Sequence, residues 1–270
     1  MAMEIDGKTR LYAIVADPVE QVKTPQTINA IFQARGFNGV LVPTHVAPQD
    51  LADYFKALRG IKNFGGLVVT VPHKQAIARL CDEVSDAARL VGAVNVVRRE
   101  HDGRMVGEIL DGKGFVAGLR RHGIEPKGLK VFMAGAGGAA NAIAFALAEA
   151  GVATLGVYNR TTEKVNDLSC RLHQVFPDLD VQAAGSRPDG FDLIVNATSL
   201  GMKDSDPLPM DLDALLPTQV VAEIIMKPET TAMLKYAQDR GCKIHFGLPM
   251  LSSQAELMLQ FMGLSESNHG

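Results

Sequence analysis

Apolar residues arrive in short runs separated by helix-length stretches along the whole chain. LYAIVA (11–16), GVLVPTHV (39–46) and FGGLVVTVP (64–72) have the length and β-branched content of strands. A helix is predicted after Pro25, taking in Ala30, Ile31 and Phe32, and LADYFKALRG (51–60) reads as a helix ended by its glycine. GAVNVVRRE (92–100) and the residues after His101 read as a hairpin turning at Asp102-Gly103. Near residue 129 the cycle restarts. LKVFMAGAG is a strand running into glycines, AANAIAFALAEAG an alanine-rich helix closed by Gly151, and ATLGVYNR, FDLIVNATS (191–199), VVAEII (220–225) and KIHFG (243–247) are further strands. This rhythm predicts an α/β protein with mainly parallel sheets and helices on both faces. It divides into two lobes joined between Glu108 and Val116, where Asp111-Gly112-Lys113-Gly114 reads as a flexible turn. The segment 243–264, a strand end and an amphipathic helix, is expected to return to the first lobe, and the final SESNHG to be a frayed tail.

Composition narrows the partners. The 270 residues are 47% hydrophobic and 21% charged with a net charge of −3, so nothing offers the basic surface that nucleic acid or an anionic membrane requires. Cys81, Cys170 and Cys242 are odd in number and show no CxxC spacing, which argues against a disulfide framework or a metal site and for a reducing cytoplasm. There is no apolar run of about 18 residues, hence no membrane span, and no signal-like apolar core follows the first residues.

The first chemical signal is FMAGAGGAANA, which sets Gly135, Ala136, Gly137, Gly138 and Ala139 between a strand and a helix, with Ala140 where a dinucleotide fingerprint often has its third glycine. Small residues there permit a tight turn and a close approach of backbone to a pyrophosphate, which the helix N-terminus attracts. The next strand ends in Asn159-Arg160-Thr161. An acidic residue at that point would receive the ribose 2′-hydroxyl of NAD; a guanidinium instead suits the 2′-phosphate of NADP, and Lys164 adds a second positive charge. Asn196, Thr198 and Ser199, at another strand end, are expected to border the cofactor cleft, with Met202 near the nicotinamide.

The first lobe carries Val69-Thr70-Val71-Pro72-His73-Lys74 at a strand end, then Asn95 in GAVN and Asp111 in LDGKGF. With GAGGAA, NRT, NATSLGM, KPETTAMLKYA and GLPMLSSQAELM, these motifs run in order over nearly the whole chain, which resembles the shikimate dehydrogenase family. The resemblance implies an N-terminal α/β substrate domain (1–108 plus 243–270), a Rossmann-type NADP-binding domain (109–242) and an active-site cleft between them. It also implies reversible hydride transfer between NADPH and the 3-keto carbon of 3-dehydroshikimate, within aromatic amino acid biosynthesis. Lys74 and Asp111 become the expected catalytic pair, and Thr24, Thr70, Asn95 and Gln254 the expected substrate contacts. No metal is expected, and the protein would be a monomer or a homodimer.

Three departures face the substrate. The family's HSxSP stretch, whose serines bind the substrate carboxylate, is Gln21-Val22-Lys23-Thr24-Pro25 here, so one hydroxyl is lost to Val22 and Lys23 is a possible replacement charge. The usual NTDG is Ile109-Leu110-Asp111-Gly112, and the usual Asp and Tyr after the VAEII strand are Glu223 and Met226. These changes predict retained turnover with weaker shikimate binding. They leave open quinate, aminoshikimate or a related cyclic polyol acid as substrate. A non-catalytic NADP-binding sensor and a bifunctional folate dehydrogenase are the alternatives of other kinds; the paired Lys74 and Asp111 argue against the first, and the NRT and GLPML segments do not favour the second.

Overall fold

The computed structural model describes residues 4–213 and 215–264, so the expected tail at 265–270 lies outside the described residues. The chain forms two compact units, Met1–Leu110 with Gln254–Gly270, and Asp111–Ser253.

The first unit contains β1 (Arg10–Ala16), α1 (Thr24–Ala34), β2 (Gly39–His45), α2 (Leu51–Gly60), β3 (Phe64–Val69), α3 (Lys74–Leu80), β4 (Glu83–Val84), α4 (Asp86–Val91), β5 (Val96–Arg99) and β6 (Met105–Glu108). Its sheet has the order β2-β1-β3-β5-β6-β4. β1 pairs in parallel with both β2 and β3, but β3–β5 and β5–β6 are antiparallel, so the sheet is mixed. The predicted hairpin at Asp102-Gly103 accounts for the second of these pairs: it folds β6 straight back on β5, and a short turn can join only antiparallel strands. Every residue of β3 is buried, as suits a central strand covered on both faces. One core cluster takes in Tyr12, Ile14, Ile28, Phe32, Val68 and Val96, together with Ala255, Met258 and Leu259.

The second unit contains α5 (Asp111–Arg121), β7 (Lys130–Ala134), α6 (Gly138–Glu149), β8 (Thr154–Tyr158), α7 (Thr162–Val175), β9 (Asp180–Ala183), β10 (Leu193–Asn196), β11 (Val220–Glu223), α8 (Ala232–Asp239), β12 (Lys243–His245) and the first part of α9 (Leu248–Phe261). Its sheet is fully parallel in the order β12-β11-β10-β7-β8-β9, the doubly wound Rossmann arrangement. The order reverses between β7 and β10, which is where such sheets hold their ligands.

Two sequence expectations change. The DGKG stretch is not a flexible turn: Asp111 opens α5, and Gly112 lies in its first turn. A Cβ at Gly112 would stand 2.0 Å from the carbonyl oxygen of Ala142, so this glycine is required by the close crossing of α5 over α6. The return to the first unit also begins later than residue 243. Lys243–His245 pairs in parallel with β11 as the edge of the second sheet, and the chain rejoins the first unit at Gln254, within α9.

Candidate active site

In the first unit, β1 and β3 run parallel with Val15 opposite Val69, so the segments that follow them leave from the same edge of the sheet. After β1 the chain reaches α1, whose first residue, Thr24, is buried and followed by Pro25, which suits a helix's first turn. Lys23 precedes it as an exposed cap residue. After β3, the half-buried Thr70 donates its N–H to the carbonyl of Val15 (3.1 Å), and its own carbonyl accepts from the N–H of His73 (2.9 Å). The His73 ring is buried with Nε2 at 2.8 Å from the carbonyl oxygen of Val46. These bonds fix the start of α3 and so the backbone of Lys74, whose carbonyl accepts from the N–H of Val94 (3.0 Å).

The next residue is Asn95, 1% exposed. Its backbone bridges two strands: the carbonyl accepts from Val69 (2.8 Å) and the N–H donates to Glu108 (3.0 Å). Its side-chain Oδ1 accepts from the N–H of Leu110 (2.8 Å), which fixes the amide plane. Nδ2 is buried and has no hydrogen-bond partner among the described residues. A buried donor left unmade costs about 1–3 kcal/mol, which an oxygen of a bound molecule would recover.

Two of the three departures noted in the sequence have an explanation in packing. Ile109 and Leu110, where the family has polar groups, are buried, and Leu110 belongs to the core cluster of Tyr12, Ile14 and Ile28. Val22 packs half-buried against the same cluster. Asp111, first in α5, is 6% exposed, and Gln254 is buried in α9 beside Ser253, whose hydroxyl has no partner among the described residues.

In the second unit, the turn after β7 is set by Gly135, at φ +114°, where a Cβ would lie 2.8 Å from the carbonyl oxygen of Ala197. Gly135 donates its N–H to the carbonyl of Tyr158 (2.7 Å), which ties the glycine turn to the end of β8. Gly137 caps α6 without a side-chain bond, and a Cβ at Gly137 or Gly138 would meet nothing within 4 Å. Nothing in the chain's own packing demands those two glycines; they leave room for a molecule to approach the free N–H groups of a twelve-residue helix. Ala136 and Ala140 are buried, and Ala139 is half-buried. At the end of β8, Asn159 Nδ2 donates to the carbonyl of Thr161 (3.0 Å), shaping the bend that exposes Arg160, Thr161 and Lys164. Arg160 and Lys164 enter no ion pair among the described residues.

Asn196 differs from expectation. It is fully buried, and its amide is already committed: Nδ2 donates to Glu223 and to the carbonyl of Leu200 (2.9 Å), while Oδ1 accepts from the N–H (3.0 Å) and hydroxyl (2.7 Å) of Thr198. It shapes the loop at residues 197–200 and has no capacity left for a cofactor. Thr198, half-buried, turns its own hydroxyl to accept from Leu200, and Met202 is exposed. Glu223, also fully buried, accepts from the N–H groups of Ile224 and Ile225 and from the Thr231 hydroxyl that caps α8. Burial pushes its carboxyl up from 4.5 to about 7, against the pull of those donors. Met226, just beyond, is exposed. Sequence reading missed this network because Glu223 looked like a plain replacement of an aspartate at a strand end.

Residues 14–97 match the shikimate dehydrogenase substrate binding domain, and residues 120–202 match the shikimate/quinate 5-dehydrogenase family. The NADP⁺-dependent shikimate dehydrogenase of Rubrobacter xylanophilus is 40% identical over 96% of this chain and 90% of its own length. This chain belongs to the shikimate dehydrogenase family. Among solved members, the shikimate 5-dehydrogenase of Listeria monocytogenes, in complex with shikimate and NAD, superposes with a TM-score of 0.90 at 29% identity, covering 98% of this chain and 95% of its own. A 5-ketofructose reductase of Gluconobacter sp. strain CHM43 shares the fold as well, with a TM-score of 0.87 and 31% identity over 95% of this chain and 94% of its own. A shikimate dehydrogenase fold thus also carries a reductase named for a different substrate.

Proposed function

We propose that this chain catalyses the reversible NADP-dependent reduction of 3-dehydroshikimate to shikimate. The observation that carries the reading is Asn95: a buried amide, fixed through Oδ1, with Nδ2 left for a ligand oxygen such as a ring hydroxyl. The motif resemblance suggests the roles, residue by residue: Lys74 and Asp111 catalytic, and Thr24, Thr70, Asn95 and Gln254 for the substrate. The first unit and the Rossmann unit are assigned to substrate and cofactor in the same way.

The residues fit NADP. Open space at Gly137 and Gly138 beside an uncapped helix start suits a pyrophosphate, with Gly135, Ala136 and Ala139 forming the rest of the turn. Asn159, Arg160, Thr161 and Lys164 would hold the 2′-phosphated ribose, the two cations supplying charge-assisted bonds. Thr198 and Met202 lie on the loop expected beside the nicotinamide, with Asn196 beneath it as a brace. When bound, the nicotinamide supplies or accepts the hydride.

The chain's own residues handle the proton and the substrate. The Lys74 ammonium donates a proton to the 3-keto oxygen as it becomes a hydroxyl, and in the oxidative direction the amine takes that proton back. In its charged form it also stabilises the negative charge developing on that oxygen. Asp111 accepts a hydrogen bond from a ring hydroxyl, Asn95 donates one, and Thr24 donates its hydroxyl to the substrate carboxylate.

A second reading keeps the chemistry and changes the substrate to quinate, aminoshikimate or a related cyclic polyol acid. Thr24 permits it, since the methyl that threonine adds to the family's serine reshapes the space expected for the carboxylate. Steady-state kinetics with shikimate and quinate, each with NADP⁺ and NAD⁺, tests both. Shikimate-dependent NADP⁺ reduction with a high KM supports the first; a kcat/KM higher for quinate supports the second; no turnover with either overturns both in favour of a non-catalytic NADP-binding protein.

A further inference from the structure

Asn141 is a buried polar residue in the first turns of the alanine-rich helix α6. Its Nδ2 donates to the carbonyls of Ala136 (3.2 Å) and Gly137 (2.7 Å), two successive carbonyls of the glycine turn. Its Oδ1 accepts from Arg171 Nη2 (2.5 Å) on α7. Arginine only donates, so Oδ1 must face Arg171 and the amine must face the turn; the amide has one orientation. Arg171 is itself held. Its Nε donates to Asp167 (3.0 Å), one turn earlier on α7, and its guanidinium carbon stands 6.0 Å from the centre of the Phe145 ring.

A trans peptide points its N–H opposite to its carbonyl. Asn141 holds the carbonyls of the 136–137 and 137–138 peptides, so the N–H groups of Gly137 and Gly138 are turned away from it. Those are the two glycines whose Cα positions face open space. We propose that Asn141, braced by Arg171, is a positioning residue that aims the Gly137 and Gly138 N–H groups at the cofactor pyrophosphate. This rests on the reading of the turn as a dinucleotide site. Because the pyrophosphate is common to NAD and NADP, the brace serves both cofactors equally, whereas Arg160 serves only the 2′-phosphate.

The test measures the dissociation constants of NADPH and NADH by fluorescence titration, alongside KM for NADP⁺ and for NAD⁺ and kcat at saturating cofactor, in Asn141→Ala, Asn141→Asp, Arg171→Ala and Arg160→Ala. Asn141→Asp keeps the shape and the acceptor for Arg171 but removes the donor. Loss of two neutral hydrogen bonds that pre-set the turn should raise both KM values in parallel by roughly tenfold, with kcat within about twofold. Arg171→Ala should show the same parallel rise at smaller size, and it carries the test should the α6 variants not fold. If the Asn141 and Arg171 variants keep both KM values within about twofold while Arg160→Ala raises that for NADP⁺, the positioning role is overturned and the cofactor site stands. If Arg160→Ala is also silent, the dinucleotide reading of the turn fails with it.

Discussion

Asn196 donates from one amide nitrogen to both carboxylate oxygens of Glu223, at 3.1 Å each, across register-matched ends of the parallel strands β10 and β11. Through Asn196 the carboxylate organises the loop that begins at Ala197, and the carbonyl of Ala197 stands over Gly135. A buried acid thus supports the two loops that flank the switch point of the second sheet.

Glu223 is paid for in stability, with a definite pH signature. Its folded value, about 7, lies above its ordinary 4.5, so the folded state holds the proton more tightly. Stability from this group is full below about 4.5 and falls as pH rises to about 7, by roughly 3 kcal/mol. His245 runs the other way. Burial, with His122 and Lys243 nearby, lowers its imidazole from 6.5 to about 4, so its contribution is lost as pH falls from about 6.5 to 4. The two offset each other between about pH 4.5 and 6.5. Glu223→Gln should gain on the wild type as pH rises from 4.5 to 7, and His245→Phe should gain as pH falls from 6.5 to 4. Urea unfolding across this range checks both; a difference from wild type that does not change with pH would contradict the assignment.

We propose that cofactor preference rests on Arg160, which is exposed and without an anionic partner among the described residues. Arg160→Ala should raise the KM for NADP⁺ by roughly ten- to a hundredfold, as expected for a lost charge-assisted contact of about 1.5–3 kcal/mol. The KM for NAD⁺ should stay within about twofold. An unchanged NADP/NAD ratio would remove Arg160 from the site.

Gly112→Ala should destabilise the second unit. The added methyl would meet the Ala142 carbonyl at 2.0 Å, a backbone atom that moves only if α5 and α6 separate. Overpacking of this kind costs about 1–3 kcal/mol, and more where backbone must shift. Thermal denaturation measures it; a melting temperature equal to wild type would show that the helices part freely.

Val22→Ser separates packing from binding. It would place a hydroxyl in the stretch proposed to meet the substrate carboxylate while removing a side chain that packs on the first-unit core. Shikimate KM should fall by about fivefold, one hydrogen bond of about 1 kcal/mol, with a stability loss of similar size. A lower stability with an unchanged KM would mean that position 22 only packs.

Much of this was readable from residues alone. Most strands of both sheets follow from short β-branched runs, with β4 and β9 unforeseen, and the glycine turn, Arg160 and Lys74 each stand where the spacing put them at element ends. Other features were hidden for physical reasons. Gly112 reads as a turn residue because sequence cannot distinguish a glycine needed for backbone freedom from one needed for a helix crossing. Asn196 reads as a ligand contact because its partner Glu223 is far away in sequence and becomes its neighbour only when β10 and β11 pair. Asn141 carried a usable signal, a single amide in an alanine-rich helix start, but its meaning depends on where Arg171 reaches from α7. The domain boundary was set at residue 243, ahead of the edge strand Lys243–His245, because a three-residue strand does not reveal its partner.

We propose that Lys74 moves the proton in an NADP-dependent oxidation of shikimate, and the direct measurement is kcat for Lys74→Ala beside NADPH affinity from fluorescence titration. A general acid–base group contributes about 10²–10⁴ in rate, so kcat should fall by that factor while the NADPH dissociation constant stays within about threefold. A variant that retains kcat within tenfold of the wild type, with NADPH still bound, would contradict the account.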